Sequence, residues 1–253
     1  MFRHQGKSRT IKHNLQIATV LSFVAGIVNV TGFLEFKQLT TNVTGHFALF
    51  IYDVANFKVW NGTIYLLYIF SFLFGSFLSS FLIEKYRQNK KLNVFALPTI
   101  IEFLTLISIP IFYNLYQIEY PDIIVCTLLF AMGLQNSFVT KISDAIVRTT
   151  HLTGLFTDLG IELSQLFFPK SYPNKKKIKE TIMLRVFIIS FFFFGGLFGG
   201  FLYSKVELRL NTLIIPAIIL IISLLFDDFR FSLLRARRKL KSKKSGTGTK
   251  AFE

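Results

Sequence analysis

One hydroxyl-rich hexamer occurs twice in otherwise oily sequence: Thr40, Thr41, Asn42, Val43, Thr44 and Gly45, then Thr149, Thr150, His151, Leu152, Thr153 and Gly154. The flanking apolar runs are about 20 residues long, the length that crosses a bilayer as a helix. Hydroxyls and unwound backbone find no partners in hydrocarbon, so a break at membrane depth must line a cavity or lie buried in protein. Two such breaks confine the chain to an all-α polytopic membrane protein that shelters both. Composition agrees: 52% of the 253 residues are hydrophobic and 31 are Phe, a load that suits a membrane protein better than a soluble domain.

Hydropathy predicts spans over 14–34, 63–83, 93–113, 123–139, 183–203 and 210–226. Two apolar pieces after the breaks, 46–57 and 155–168, are too short for a hydrocarbon core of about 30 Å. The first run carries Asn29 and Thr31 with no small-residue cleavage site behind it, so it reads as a permanent span rather than a signal peptide.

The breaks belong to a longer duplication. Ala25, Gly26, Ile27, Val28 and Asn29 match Met132, Gly133, Leu134, Gln135 and Asn136; residues 74–82 match 194–202; Asn93 and Pro98 match Asn211 and Pro216. An acid follows each break at the same distance, Asp53 after Thr44 and Glu162 after Thr153. The chain therefore divides into a tail (1–13), a membrane repeat (14–113), an external connector (114–122), a second membrane repeat (123–228) and a basic tail (229–253).

The net charge of +15 invites a nucleic-acid reading, but the basic residues lie in short loops and at both ends. That distribution encodes membrane orientation, whereas nucleic acid needs a contiguous basic face on a soluble domain. If both short pieces dip in and return, six spans result, and only Lys37, Lys58, Lys205 and Arg209 of the 29 Lys and Arg residues fall outside. If both cross, there are eight spans: Lys85, Arg87, Lys90 and Lys91 then face outward, Lys141 and Arg148 do too, Lys58 turns inward, and 20 of the 29 fall inside compared with 25. The positive-inside rule favours six. Three spans per repeat is an odd number, so the second copy is upside down. The predicted architecture is two inverted repeats of three transmembrane helices, each with a short re-entrant or broken helix. Both termini are then cytoplasmic, and the basic tail lies against anionic lipid before a disordered end.

Thr44 and Thr153 are placed to cap the short helices, with Gly45 and Gly154 easing the turn. Helix N-termini aimed at the midplane suit a polar or anionic group. The candidate substrate-binding residues are Asn29, Thr40, Thr41, Asn42, Thr44, Gly45 and His46 in one repeat, and Asn136, Thr149, Thr150, His151, Thr153 and Gly154 in the other. The competing reading is that these groups satisfy one another and pack the two breaks tip to tip. Asp53, Glu102, Asp158 and Glu162 are candidate coupling acids, since ionisable groups at membrane depth are functional by default. Against this, Asp53 and Glu162 fit equally well in water at the mouths of the breaks. Glu102 has no acidic counterpart in the other repeat, where Leu220 stands, so a one-sided proton site and an interhelical hydrogen bond are both open.

His46 and His151 lack supporting carboxylates, so no metal site is read. Gly75, Ser76, Ser79 and Ser80, with Gly195, Gly196, Gly199 and Gly200, form small-residue faces for close helix approach. The single Cys126 excludes an internal disulfide. Without a nucleotide loop, zincin motif or nucleophile elbow, neither an enzyme nor a cofactor is expected. The leading reading is a small-molecule or ion transporter or channel with a midplane site between the breaks. The alternative is a scaffold or sensor acting through the basic tail. The partners in view are the bilayer, anionic lipid and an unidentified polar or anionic small molecule; a homo-oligomer stays open.

The segment Gly26 to Asn29, that from Met132 to Asn136 and the two hexamers together resemble the YoaK-like family of bacterial integral membrane proteins, domain of unknown function 1275. The resemblance covers roughly 15–226. It implies a bacterial inner (cytoplasmic) membrane location and no established activity. Two positions depart from the family pattern: Asn29 stands where members carry Asp, and His46 where they carry Asn. Asn29 cannot hold a proton by ionising.

Overall fold

A computed structural model of the chain describes residues 10–87, 94–116, 120–143, 145–168 and 171–226. The basic tail, and with it the output surface of the scaffold reading, lies outside the described residues, as does most of the N-terminal tail. Among the described residues there are eight helices and no strand. They are α1 (Ile11–Phe36), α2 (Thr44–Ala55), α3 (Val59–Tyr86), α4 (Ala96–Tyr116), α5 (Pro121–Ile142), α6 (Leu152–Gln165), α7 (Lys175–Ser204) and α8 (Arg209–Phe226). The first turn of α8, Arg209–Leu213, is 3-10.

Six of these, all but α2 and α6, are long and apolar enough to cross a membrane, and they fall on the six predicted spans. With 12 and 14 residues, α2 and α6 are about 18 and 21 Å long, short of a core of about 30 Å. The described residues are all-helical, and the protein is a multi-pass membrane protein. α7 starts eight residues before the span predicted at 183, because Asn174 accepts a hydrogen bond from the Lys177 amide and the helix grows through Lys175, Lys176 and Lys177. Hydropathy sees only the part of a helix that hydrocarbon covers. α1 ends when Lys37 turns left-handed (φ 57°) and its amide returns to Phe33 O.

Let the near face be the one where α1 begins and the far face the one where it ends. α1 and α5 are the most buried spans and form the centre. They run antiparallel: Gln135 of α5 bonds Leu21 O of α1 (2.8 Å), while Phe36 packs on the cluster of Tyr68, Val125 and Leu129. α7 lies parallel to α1 and α3 parallel to α5. Tyr203 donates to Glu35 (2.6 Å) at the far ends of the first pair, and Lys141 donates to Glu84 (2.5 Å) at the near ends of the second.

Each parallel pair crosses backbone against backbone. A Cβ on Gly26 would run into the carbonyl oxygen of Phe192, and one on Gly195 into that of Phe23. A Cβ on Gly75 would strike Phe130 O, and one on Gly133 would strike Phe72 O. In both crossings each glycine receives the carbonyl of the Phe three residues before the partner glycine. Only glycine permits this two-way contact.

The short helices double back. α2 returns along α3, with His46 against Tyr65 and Tyr68 and Gly62 of α3 beside Phe50 and Asp53. α6 returns along α7, where Arg185 meets Glu162. α4 and α8 join at the far face through Asn114 Nδ2, which donates to Asn211 Oδ1 (2.9 Å).

Candidate functional site

Each break folds back onto the helix it has just left. In the first, Thr40 donates to Val28 O (3.3 Å) and Thr41 to Asn29 Oδ1 (2.9 Å). Val28 is eight residues before the end of α1, so the break re-enters by about 12 Å. In the second, Thr150 donates to Asn136 Oδ1 (2.8 Å), and Gln135 Nε2 reaches both Thr149 Oγ1 (3.2 Å) and Leu21 O. The same clasp, second threonine on asparagine, is thus made twice. Thr40, Thr41, Thr149 and Thr150 are buried, and their hydroxyls are engaged with their own repeat.

Gln135 ties the second break, α5 and α1 together. Gln135→Leu removes both links, leaves the buried Thr149 hydroxyl without its donor, and leaves Leu21 O with its helical bond alone. We expect it to lower stability by about 2 kcal/mol and to raise deuterium uptake over 145–152. Unchanged exchange there would show that the link does not hold the break.

Neither threonine predicted as a cap serves as one. Thr44 is already the first residue of α2, behind Val43, and Thr153 lies inside α6, behind His151; neither helix has a side-chain bond from its cap residue. In the first break the role passes to Asn42, whose Oδ1 accepts from the Gly45 amide (3.3 Å). His151 holds the matching position in the second break and makes no such bond. The α6 N-terminus is left uncapped.

The histidines lie in different surroundings. His46 is buried, its Nε2–H donates to Leu39 O (2.8 Å), and its ring stacks on Tyr65 and meets Tyr68 edge-on. Tyr68 in turn donates to Asp122. Burial pushes the His46 imidazole below its ordinary pKa and holds it neutral. His151 is exposed and covers Gly154, where any side chain would collide with it. Nor do the breaks meet tip to tip: α2 and α6 do not touch, because the α1–α5 pair lies between the two halves. Leu21 and Val28, which receive bonds from the two halves, are about 10 Å apart along α1.

Beside the second break lies a cleft of about 490 Å³ whose lining includes Arg148, His151, Gly154, Asp158, Thr181 and Arg185. Arg185 gathers two of the acids singled out from sequence. Its Nη1 pairs with Asp158 (2.9 Å), and its Nε and Nη2 take both oxygens of Glu162 (2.9 and 3.0 Å). Sequence reasoning passed over Arg185, although a cation inside the span predicted over 183–203 was its signal. Asp53 is half-buried beside Gly62. The first-repeat position that matches Arg185 is Tyr65, so Asp53 has no such clamp. Glu102 sits on α4, fully buried, with neither oxygen hydrogen-bonded.

A family model described as a protein of unknown function (DUF1275) matches residues 17–226. That stretch holds both breaks, both glycine crossings and the cleft. No curated protein and no solved structure matches the chain.

Proposed function

We propose that this chain, which belongs to the DUF1275 family of proteins of unknown function, is a transporter or channel for a small polar or anionic solute, built from two inverted repeats in the bacterial inner membrane. The observation that carries the reading is the threonine–asparagine clasp made once on α1 and once on α5, two helices that run in opposite directions. Broken segments entering from opposite faces of an inverted pair are a common plan of secondary transporters.

The positive-inside rule assigns the near face to the cytoplasm. The second break then enters from inside and the first from outside. Because the breaks lie apart, the solute path has two half-sites separated by the α1–α5 contact. The outer half is closed: Asn42 caps α2, and His46 fills the space against Tyr65 and Tyr68. The inner half is open: α6 is uncapped, and the cleft carries Arg148 and His151. On this reading the chain faces inward, with the uncapped α6 amides and Arg148 beside the Asp158 carboxylate available to a polar group.

Thr44 and Thr153 are the exposed hydroxyls of the two first turns, so they carry the test. Proteoliposomes are assayed for uptake of small carboxylates, amino acids and inorganic phosphate. For whichever probe the wild type carries, Thr44→Val and Thr153→Val should each reduce flux about tenfold, the equivalent of about 1.4 kcal/mol. Wild-type flux in both variants would remove the breaks from the path.

A further inference from the structure

We infer that Glu102 is a buried proton-binding site, separate from both breaks, which exchanges its proton with water when α4 rearranges. Thr99, Glu102 and Leu106 are fully buried, and Ile109 nearly so, which makes one inward stripe on α4. The only other polar group on that stripe, Thr99, donates to Phe95 O (2.8 Å) and is not bonded to Glu102. Both carboxyl oxygens are buried without a partner. A carboxylate there would be an uncompensated charge, which proteins avoid by keeping the group neutral. The group at this position is a carboxylic acid.

The second repeat supplies an internal control. Leu220 on α8 matches Glu102 and is just as buried. The architecture therefore seats a plain apolar side chain at this place, and packing alone does not call for an acid. A hydrophobic residue would avoid the cost of a buried polar group with no bond.

Among the described residues no neighbour provides a fixed counter-charge. The elements packed on α4 are α3, α5 and α8. At the near end they carry Glu84, Lys85, Tyr86 and Lys141; toward the far end, Tyr65, Tyr68, Asp122, Cys126 and Arg209. None of these groups bonds Glu102, and Glu84 and Lys141 are taken by each other. A metal cation needs several oxygen ligands, which a lone carboxyl without bonded polar neighbours does not assemble. The ligand that fits is a proton. α4 also has a place to bend: Pro110, two turns beyond Glu102, cannot donate to Leu106 O.

Coupling of this proton to solute movement rests on the transport reading; the site itself does not. The test therefore needs no solute. Infrared spectra of the full chain in lipid nanodiscs are recorded against pH for wild type, Glu102→Gln and Glu102→Leu. A protonated-carboxyl C=O band is expected in the wild type and in neither variant. It should shift on transfer to D2O under native conditions and disappear at alkaline pH. Glu102→Leu should fold with an unchanged or higher melting temperature. Absence of the band, or a band that never shifts in D2O while the fold is intact, overturns the proposal. So does a Glu102→Leu protein that loses its fold while Glu102→Gln keeps it, since the acid is then structural. If the band behaves as expected but flux does not depend on Glu102, the proton site stands and the coupling fails.

Discussion

Gly133→Ala should lower stability by about 3 kcal/mol or more, and Gly26→Ala should do the same. Both added methyls would enter the space of a backbone carbonyl oxygen on the neighbouring helix, Phe72 O or Phe192 O. A backbone atom cannot swing aside as the end of a side chain can, so the helices must separate along the whole crossing. The dispersion contacts around it weaken together. The separation also shifts Gln135 and Asn136, which follow Gly133 on α5, so the second break should loosen in the same variant. Gly160 is the control. Nothing lies within 4 Å of a Cβ built there, so Gly160→Ala should be neutral or slightly stabilising through helix propensity, by up to about 1 kcal/mol. Thermal unfolding of the three variants in detergent decides the matter. A Gly133→Ala protein that melts with the wild type would mean that α3 and α5 do not touch backbone to backbone.

The second large effect is expected at Arg185. Its side chain is four-fifths buried and that of Glu162 is more enclosed still, while Asp158 is half exposed. The bidentate pair with Glu162 therefore carries most of the interaction, and the contact with Asp158 is weakened by water. Arg185→Leu leaves two acids one helical turn apart with no counter-charge, at a cost of about 3 kcal/mol. Most of that cost is the stranded charge. Adding Glu162→Leu and Asp158→Asn should recover the larger part of it. Arg185→Lys should fall between, because an ammonium cannot engage both Glu162 oxygens in the planar fork. Deuterium uptake over 152–165 reads the docking of α6 directly. Equal uptake in wild type and Arg185→Leu would show that the clamp does not hold α6.

The six spans are legible because hydrocarbon thickness sets their length. What could not be read were the partners. Thr41 with Asn29 and Thr150 with Asn136 each lie within one stretch of the duplicated pattern, but the pattern does not name the bond between them. Gln135 with Leu21 and Arg185 with Glu162 depend on how separate helices meet. The capping role goes to Asn42 instead of Thr44 because a short amide side chain outside the helix can reach the second amide of α2, that of Gly45. The breaks lie apart instead of tip to tip because the central helices cross between them, a relation that periodicity along the chain does not contain. The glycine faces were read as general small-residue packing. The structure singles out Gly26, Gly75, Gly133 and Gly195 and leaves room beside Gly196 and Gly200.

The pairing of α1 with α7 has a consequence for how the protein is made. The partner of the first helix is the seventh, and the partner of the third is the fifth, so both glycine crossings join one repeat to the other. Neither repeat is a unit that closes on itself. During synthesis α1 enters the membrane with a bare Gly26 face, and its partner is complete only when Ser204 has been added. At about 5–20 residues per second, that interval is on the order of ten seconds. For that time the earliest helix waits in lipid, and the chain has to be nearly finished before its first crossing can form.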